Sequence, residues 1–422
     1  MRSWLTYIFL SMVACATLLT SCTDVLSEEG FGNCDDRTTV RLTISFGGDD
    51  GPMSRDVGNN PAPKDDDLDY TTEAQAMIDD VYALVVKREG EIDYFQYFIE
   101  DLEIDTKKHG TTDQKPYIDN NYYSWDLVGT MKPTSGTEEV KIILLTNLEN
   151  NNIEKKDGNA ISSLRLYLET LEEGTTKMED IYDNLIYNYN GTTRSITENK
   201  IPMWGETAFT SVPASEDIEL TCYLYRALAK VQIWVNMKDG IDGFVINSIT
   251  VNNIHTKGYC VSQANFDDDS PHYTGTNGFK PYVAPYPYIP ANEEEYSYQS
   301  VTYNSIPTED GKTKFFSDMI YLPEQVNKGA TEPVTITVNY TYNTVTQDGI
   351  IRFTEGGVED QSKAFDIIRN HSYIFNINKK TTEDVEFSLY YQVVDFTNIE
   401  NGTLNFGNGD GNVTNGNTVQ NQ

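Results

Sequence analysis

The chain has 422 residues, 65 of them acidic against 31 basic, with a formal net charge of −34 and an isoelectric point near 4.3; this excludes a nucleic-acid binder, whose phosphates need lysine and arginine facing them. The acidity does not mark disorder, because 28 Tyr and 17 Phe stand with Val and Ile in periodic runs that an unfolded acidic chain lacks. The length suits two domains with separate cores, and the β-branched and aromatic bias predicts a mainly β chain.

At the N-terminus, Arg2 and the apolar run 4–19 predict an export signal, too short for a membrane span. The run ends in Leu19-Thr20-Ser21-Cys22, which resembles the lipobox read by lipoprotein signal peptidase. Residues 1–21 therefore read as a signal peptide, Cys22 as the acylated residue and 23–30 as a tether; an ordinary signal peptide with a chance cysteine is the alternative. Cys15 leaves with the signal, so Cys34, Cys222 and Cys260 remain, an odd number for an exported protein. Cys222 and Cys260 read either as a pair or as two buried thiols. No CxxC or Cys/His cluster points to zinc.

Residues 38–46 predict a strand: Val40, Leu42, Ile44 and Phe46 alternate with polar side chains, so one face enters a core. The segment 47–61 is rich in Gly, Pro, Asp and Asn around one basic residue, Arg55, which Asp56 follows. A cut there would free the strand and leave an apolar groove with unpaired backbone groups, an edge that recruits a strand from another chain. The charged run 64–70 reads as a solvated face, with calcium as the sharper reading.

Residues 81–87 and 92–99 form a predicted hairpin across Arg88-Glu89-Gly90-Glu91, and 141–147 a further buried strand. Ile161, Leu164, Leu168 and Leu171 recur at helical spacing up to Gly174, which predicts a helix with its apolar stripe on the core. Ile201-Pro202-Met203-Trp204-Gly205-Glu206 reads as a packed bend, and the polar 211–217 as a domain boundary. Beyond it, 218–225, 226–235, 244–251, 315–324, 334–340, 372–377 and 385–396 are strand candidates. Short strands with turn signals and little helix predict sandwiches and not a parallel sheet. Residues 267–298 read as a surface excursion. The end of the chain reads as a loose tail, in which Gly407-Asn408-Gly409-Asp410-Gly411 lacks the stacked copies of a calcium-binding repeat.

Neither catalysis nor a cofactor nor a metal is expected. His109, His255, His272 and His371 stand apart in no metal-binding spacing, and no Gly-x-Ser-x-Gly, phosphate-cradling loop or zincin helix occurs. The rival to an assembly role is a surface binding module. Tyr282-Val283-Ala284-Pro285-Tyr286-Pro287-Tyr288 either offers an aromatic face to a glycan or host protein, or packs against the sandwich.

Several segments together resemble the Bacteroidetes fimbrillin family, the two-domain β-sandwich pilins of type V fimbriae. They are the lipobox at Cys22, the first strand with Arg55 downstream, Leu145-Thr146-Asn147, Ile201-Pro202-Met203-Trp204-Gly205, Tyr225-Arg226-Ala227-Leu228-Ala229-Lys230-Val231, Tyr321-Leu322-Pro323-Glu324 and Arg369-Asn370-His371-Ser372-Tyr373. The resemblance implies two tandem transthyretin-like β-sandwich domains with a few short helices. Signal 1–21 would precede a lipidated propeptide 22–55; a first domain 56–212, completed by strand 38–46, would precede a second at 213–406 and a flexible tail at 407–422. It further implies export as a lipoprotein to the outer membrane and cell surface, held there by the lipid on Cys22. An extracellular trypsin-like protease would cut between Arg55 and Asp56, removing the strand that carries Val40, Leu42, Ile44 and Phe46. A strand from 385–406 or the tail of a neighbouring fimbrial subunit would then fill the groove, building a fimbria that supports adhesion to a host or bacterial surface ligand. Relatives that stay unprocessed as lipid-anchored adhesins, anchors or tips supply the alternative.

Overall fold

The computed structural model describes residues 37–47, 80–106, 117–119, 122–149, 153–188, 201–214, 216–235, 244–261, 285, 287–288, 299–304, 320–342, 344–354, 360–379, 385–386 and 393–395. In chain order the first strands are β1 (Thr38–Gly47), β2 (Val81–Glu89), β3 (Ile92–Phe98), β4 (Glu103–Ile104), β5 (Tyr117–Asp119), β6 (Tyr122–Met131), β7 (Val140–Thr146) and β8 (Ile153–Glu154). Two short helices, α1 (Leu164–Leu168) and α2 (Met178–Asp183), precede β9 (Ile186–Asn188), β10 (Met203–Glu206), β11 (Ile218–Tyr223) and β12 (Tyr225–Arg226). The remainder is β13 (Leu228–Val235), β14 (Phe244–Ile254), β15 (Lys257–Tyr259), β16 (Gln299–Asn304), β17 (Ile320–Pro323), β18 (Thr335–Tyr342), β19 (Val345–Arg352), β20 (His371–Lys379), β21 (Val385–Glu386) and β22 (Val393–Asp395). The chain is mainly β, as its composition predicts.

Two sheets enclose the first core. One runs β11-β1-β6-β4, with β5 also on β6; the other runs β12-β10-β7-β2-β3. Alternation sends Val40, Leu42 and Ile44 of β1 and Trp125 and Leu127 of β6 into the same cluster as Ala83 and Val85 of β2 and Ile142 and Leu144 of β7. The predicted hairpin forms as β2 and β3, turning at Gly90 with φ +66°. Strand β7 is buried along its whole length. Its other face, Ile143 and Leu145, joins Leu84, Val86 and Phe95 beneath Leu164 and Leu168 of α1 and Met178 and Ile181 of α2. A strand covered on both sides reads as a continuous apolar run, which is why the sequence shows it without alternation.

Three sequence expectations are corrected here. Of the predicted helix only 164–168 is α-helical, capped by Ser163, whose hydroxyl accepts from the Leu166 amide. Ile161 and Leu171 still pack on the core, from turns on either side, and Gly174 takes φ +72°. Residues 203–206 are no bend but a fully buried strand between β7 and β12. Strand 218–223, expected in the second half, lies beside β1 in the first sheet. Register decides this: its Leu220 and Cys222 stand opposite Leu42 and Ile44 and complete the apolar face that β1 begins.

A second pair of sheets follows, β17-β13-β20-β21 with β22 also on β20, and β16-β14-β18-β19. Val231, Ile249, Val251, Ile336, Val338, Tyr373 and Phe375 lie in one apolar cluster with Ile143 and Leu145 of β7, and there Phe353 meets Tyr373 and Phe375 edge-on at 5.6 and 5.1 Å. The two pairs join at Ala227, between β12 of the first pair and β13 of the second. Its amide donates to the Pro202 carbonyl at 2.8 Å and its carbonyl accepts from the Tyr187 hydroxyl at 3.3 Å. A small sheet, β15-β9-β8, adds a second tie. Buried Arg369 fastens the same region: it pairs with buried Glu324 and donates to the carbonyls of Tyr259 and Cys260.

Candidate functional site

The candidate site is β1 and the strands around it. Strand β1 lies between β11, which runs parallel to it, and β6, which runs antiparallel. Both backbone edges of β1 are therefore occupied, and its inward side chains Val40, Leu42 and Ile44 are at most 1% exposed. Leu42 stands opposite Leu127 on one side and Leu220 on the other; Ile44 stands opposite Trp125 and Cys222. Phe46 lies in the same ladder, opposite Tyr123. At roughly 1.5–3 kcal/mol per buried side chain, three such residues supply several kcal/mol of cohesion before any backbone pairing is counted. Cys22, Arg55 and Asp56 lie outside the described residues, as do His109, His272, the acidic run 64–70 and the tail 407–422.

The opposite face of β1 carries what the sequence reading missed. Arg41 forms an ion pair with Asp105, which is 3% exposed at its side chain, and approaches Asp217 at 3.7 Å. Thr43 donates its hydroxyl to Asp126 at 2.7 Å, and Thr38 donates to the Pro213 carbonyl. Asp105 and Asp126 are both buried, and the Asp105 amide donates to the Asp126 carbonyl at 2.9 Å. The alternation of β1 gave Arg41 and Thr43 only as solvent-facing, whereas Thr38 lies on the inward side with Val40 and is buried. The one signal available was a single arginine in a strand otherwise built of apolar and hydroxyl residues.

At the other end of the chain, β21 and β22 pair antiparallel with β20 and occupy the outer position of their sheet. The expected single strand 385–396 is described only in these two pieces. Tyr288, from the aromatic stretch, is buried against Tyr259 with ring centres 5.4 Å apart, so that ring packs and does not face outward. Cys222 and Cys260 are both buried, in different apolar clusters, and form no disulfide with each other. Burial pushes the Cys222 thiol well above its ordinary range, so it is an inert core residue.

A buried ionic cluster with perturbed carboxylates joins Asp93, Lys141 and Glu206. Lys141 lies 2.8 Å from Asp93 and 2.7 Å from Glu206. Burial raises Glu206, whereas Arg88 and Lys141 overcome the burial of Asp93 and hold it below the usual range. The single ammonium bridging both carboxylates makes this a structural tie of β3, β7 and β10. A cleft of about 440 Å³ opens beside β2 and β3, lined by Tyr82, Phe98, Glu100, Glu103 and Arg165 among others, with no histidine or cysteine among the described residues of its wall. Among the described residues no group of three or more His, Cys, Asp or Glu could hold a metal ion, and no helix is long and apolar enough to cross a membrane.

No protein-family model and no curated protein matches the chain. Among solved structures it is similar to a fimbrial assembly protein from Parabacteroides distasonis, at 12% identity over 85% of this chain and 99% of that one, with a TM-score of 0.44. A second protein of the same organism, provisionally named a cell adhesion protein, matches at 14% identity over 85% and 97% of the two chains, TM-score 0.44. A third, so named from Bacteroides eggerthii, matches at 15% identity over 86% and 97%, TM-score 0.40. The chain is thus similar to proteins named for fimbrial assembly and cell adhesion.

Proposed function

We propose that the chain is a structural subunit of a bacterial surface fimbria, exported as a lipoprotein through Cys22 and assembled by strand exchange after proteolysis at Arg55-Asp56. The observation that carries this reading is the place of β1: a core strand with a neighbour on each edge, joined to the rest of the sheet through a segment with the composition of a cleavable loop. Its departure would open a slot lined by Leu127, Trp125, Leu220 and Cys222, with unpaired backbone on both sides. The donor would come from the C-terminal segment of another subunit. β21 and β22 support this role, because among the described residues each is paired to β20 alone, a single ladder to break. The working unit has a first sandwich completed by β1 and a second that presents the donor; neither needs a catalytic group or cofactor.

A second reading keeps β1 in place, as in a lipid-anchored adhesin or fimbrial anchor, and the polar ties of Arg41, Thr43 and Thr38 favour it. Intact-mass measurement of the protein taken from the cell surface separates the two. A start at Asp56 supports the polymerising subunit, and a start at acylated Cys22 refutes it in favour of the anchor. Arg55→Ala is expected to leave folding unchanged and to abolish fibres; fibres of normal length from that variant would refute cleavage at this bond.

A further inference from the structure

Resting on the strand-exchange reading, we infer that the vacated β1 slot selects its donor by charge: it accepts a strand of a different subunit carrying a cation at the Arg41 position, and rejects this chain's own C-terminal strand. The resident strand shows the pattern the slot accepts. Val40-Arg41-Leu42-Thr43-Ile44 places three apolar side chains inward, a cation against Asp105 and Asp217, and a hydroxyl on Asp126.

Glu219 of β11 stands opposite Arg41 in the ladder, so among the described residues that position meets Asp105 just after β4 on one side and Asp217 and Glu219 at the start of β11 on the other. With a strand seated in the slot Asp105 is buried, so a donor that lacks the guanidinium takes away that ion pair. A buried carboxylate stripped of its cation is strongly unfavourable, and a like charge brought against it is worse.

The chain's own tail repeats the pattern with one change. Val385-Glu386-Phe387-Ser388-Leu389 is apolar, charged, apolar, hydroxyl, apolar, with glutamate where the resident strand has arginine. Self-insertion in that register seats Val385, Phe387 and Leu389 inward and Ser388 at the Thr43 position, but brings Glu386 against Asp105 and Asp217. No other register supplies the cation, because neither lysine nor arginine follows Lys380. The slot and the tail of this chain are complementary in shape pattern and opposed in charge. Such a device prevents a subunit from capping itself or its own copies, and leaves the slot to a basic donor.

The test uses the full chain cut once within 48–79, with exchange of β1 for fluorescent peptides followed by gel filtration in EDTA. The peptides are the resident 37–47 sequence, its Arg41→Glu and Leu42→Asp forms, the 384–394 tail sequence, and that tail with Glu386→Arg. The resident peptide and the Glu386→Arg tail are expected to exchange. The Arg41→Glu peptide and the unmodified tail are expected to bind at least about tenfold more weakly, and in a chain carrying Asp105→Asn that gap narrows. If Arg41→Glu matches the resident peptide while Leu42→Asp fails, the slot stands and charge selection is overturned. If Leu42→Asp exchanges as well as the resident peptide, or no peptide exchanges, the strand-exchange reading falls and the inference with it.

Discussion

Leu42→Ala tests whether burial is what retains β1. Leu42 is fully buried, opposite Leu127 and Leu220, in a core shared with Ala83, Val85, Ile142 and Leu144 of the facing sheet. Its neighbours are themselves strand residues and cannot collapse into the space left behind. Truncation is therefore expected to cost about 2–5 kcal/mol, the range for buried leucine. If the loss acts mainly on release, the strand leaves a chain cut within 48–79 roughly 30- to several thousand-fold faster, at about 1.4 kcal/mol per decade. Labelling the N-terminal fragment and adding excess unlabelled competitor gives that rate directly, and urea unfolding of the uncut chain gives the equilibrium cost. Thr39→Ala, on the other face of the same strand, is the control and should change release by less than about threefold. Release from the Leu42→Ala chain within threefold of the parent would refute burial as the retaining force.

Other perturbations probe the scaffold and its pH response. A β-carbon on Gly205 would lie 2.1 Å from the Tyr223 carbonyl oxygen and 3.0 Å from the Cys222 sulfur. Gly205→Ala must push β11 off β10, and is expected to cost about 1–3 kcal/mol or more in urea unfolding; a neutral substitution would mean the sheets separate freely. Arg369→Met leaves buried Glu324 without its cation, an expected loss of about 3–5 kcal/mol. The double variant Arg369→Met/Glu324→Gln should recover part of it, and no recovery would show that the arginine acts through Tyr259 and Cys260 instead. Asp80 is pushed up to about 7 by burial, against the amide hydrogen bonds of Glu149 and Leu148. The folded form therefore holds its proton longer than the unfolded chain, so its stabilisation is present below about pH 4 and is lost as pH rises through about 7. Asp80→Asn should flatten the stability profile across that window, and a slope equal to the parent's would exclude Asp80 as its source. Burial lowers His255 to about 4, which gives the opposite dependence: stability present above about pH 6.5 and lost as pH falls through about 4. A ring that titrates near 6.5 by NMR would contradict this.

Local periodicity carried much of the fold into view. The inward set of β1, the β2–β3 hairpin and the doubly covered β7 were legible because side-chain direction in a strand depends only on residues one and two positions away. Strand β6 was not: Asp126 and Gly129 interrupt its apolar pattern. Asp126 is there to receive Thr43 from β1, and Gly129 because a β-carbon would meet the Ile99 side chain at 2.7 Å. Met203–Glu206 was hidden in the same way, since Pro202 and Gly205 look like turn residues until β11 is seen passing over Gly205.

By itself the amino-acid sequence determined a mainly β chain, the strand 38–46 with Val40, Leu42 and Ile44 on one face, and the acidic, breaker-rich character of the segment after it. Only the tertiary structure decided that β1 lies between β6 and β11, that strand 218–223 belongs with the first sheet, and that Arg41 meets Asp105 and Asp217. The physical reason is range. Alternation is set by bonded geometry within a few residues, whereas strand neighbours and the partners of a single charge are chosen by long-range register, which local pattern does not encode.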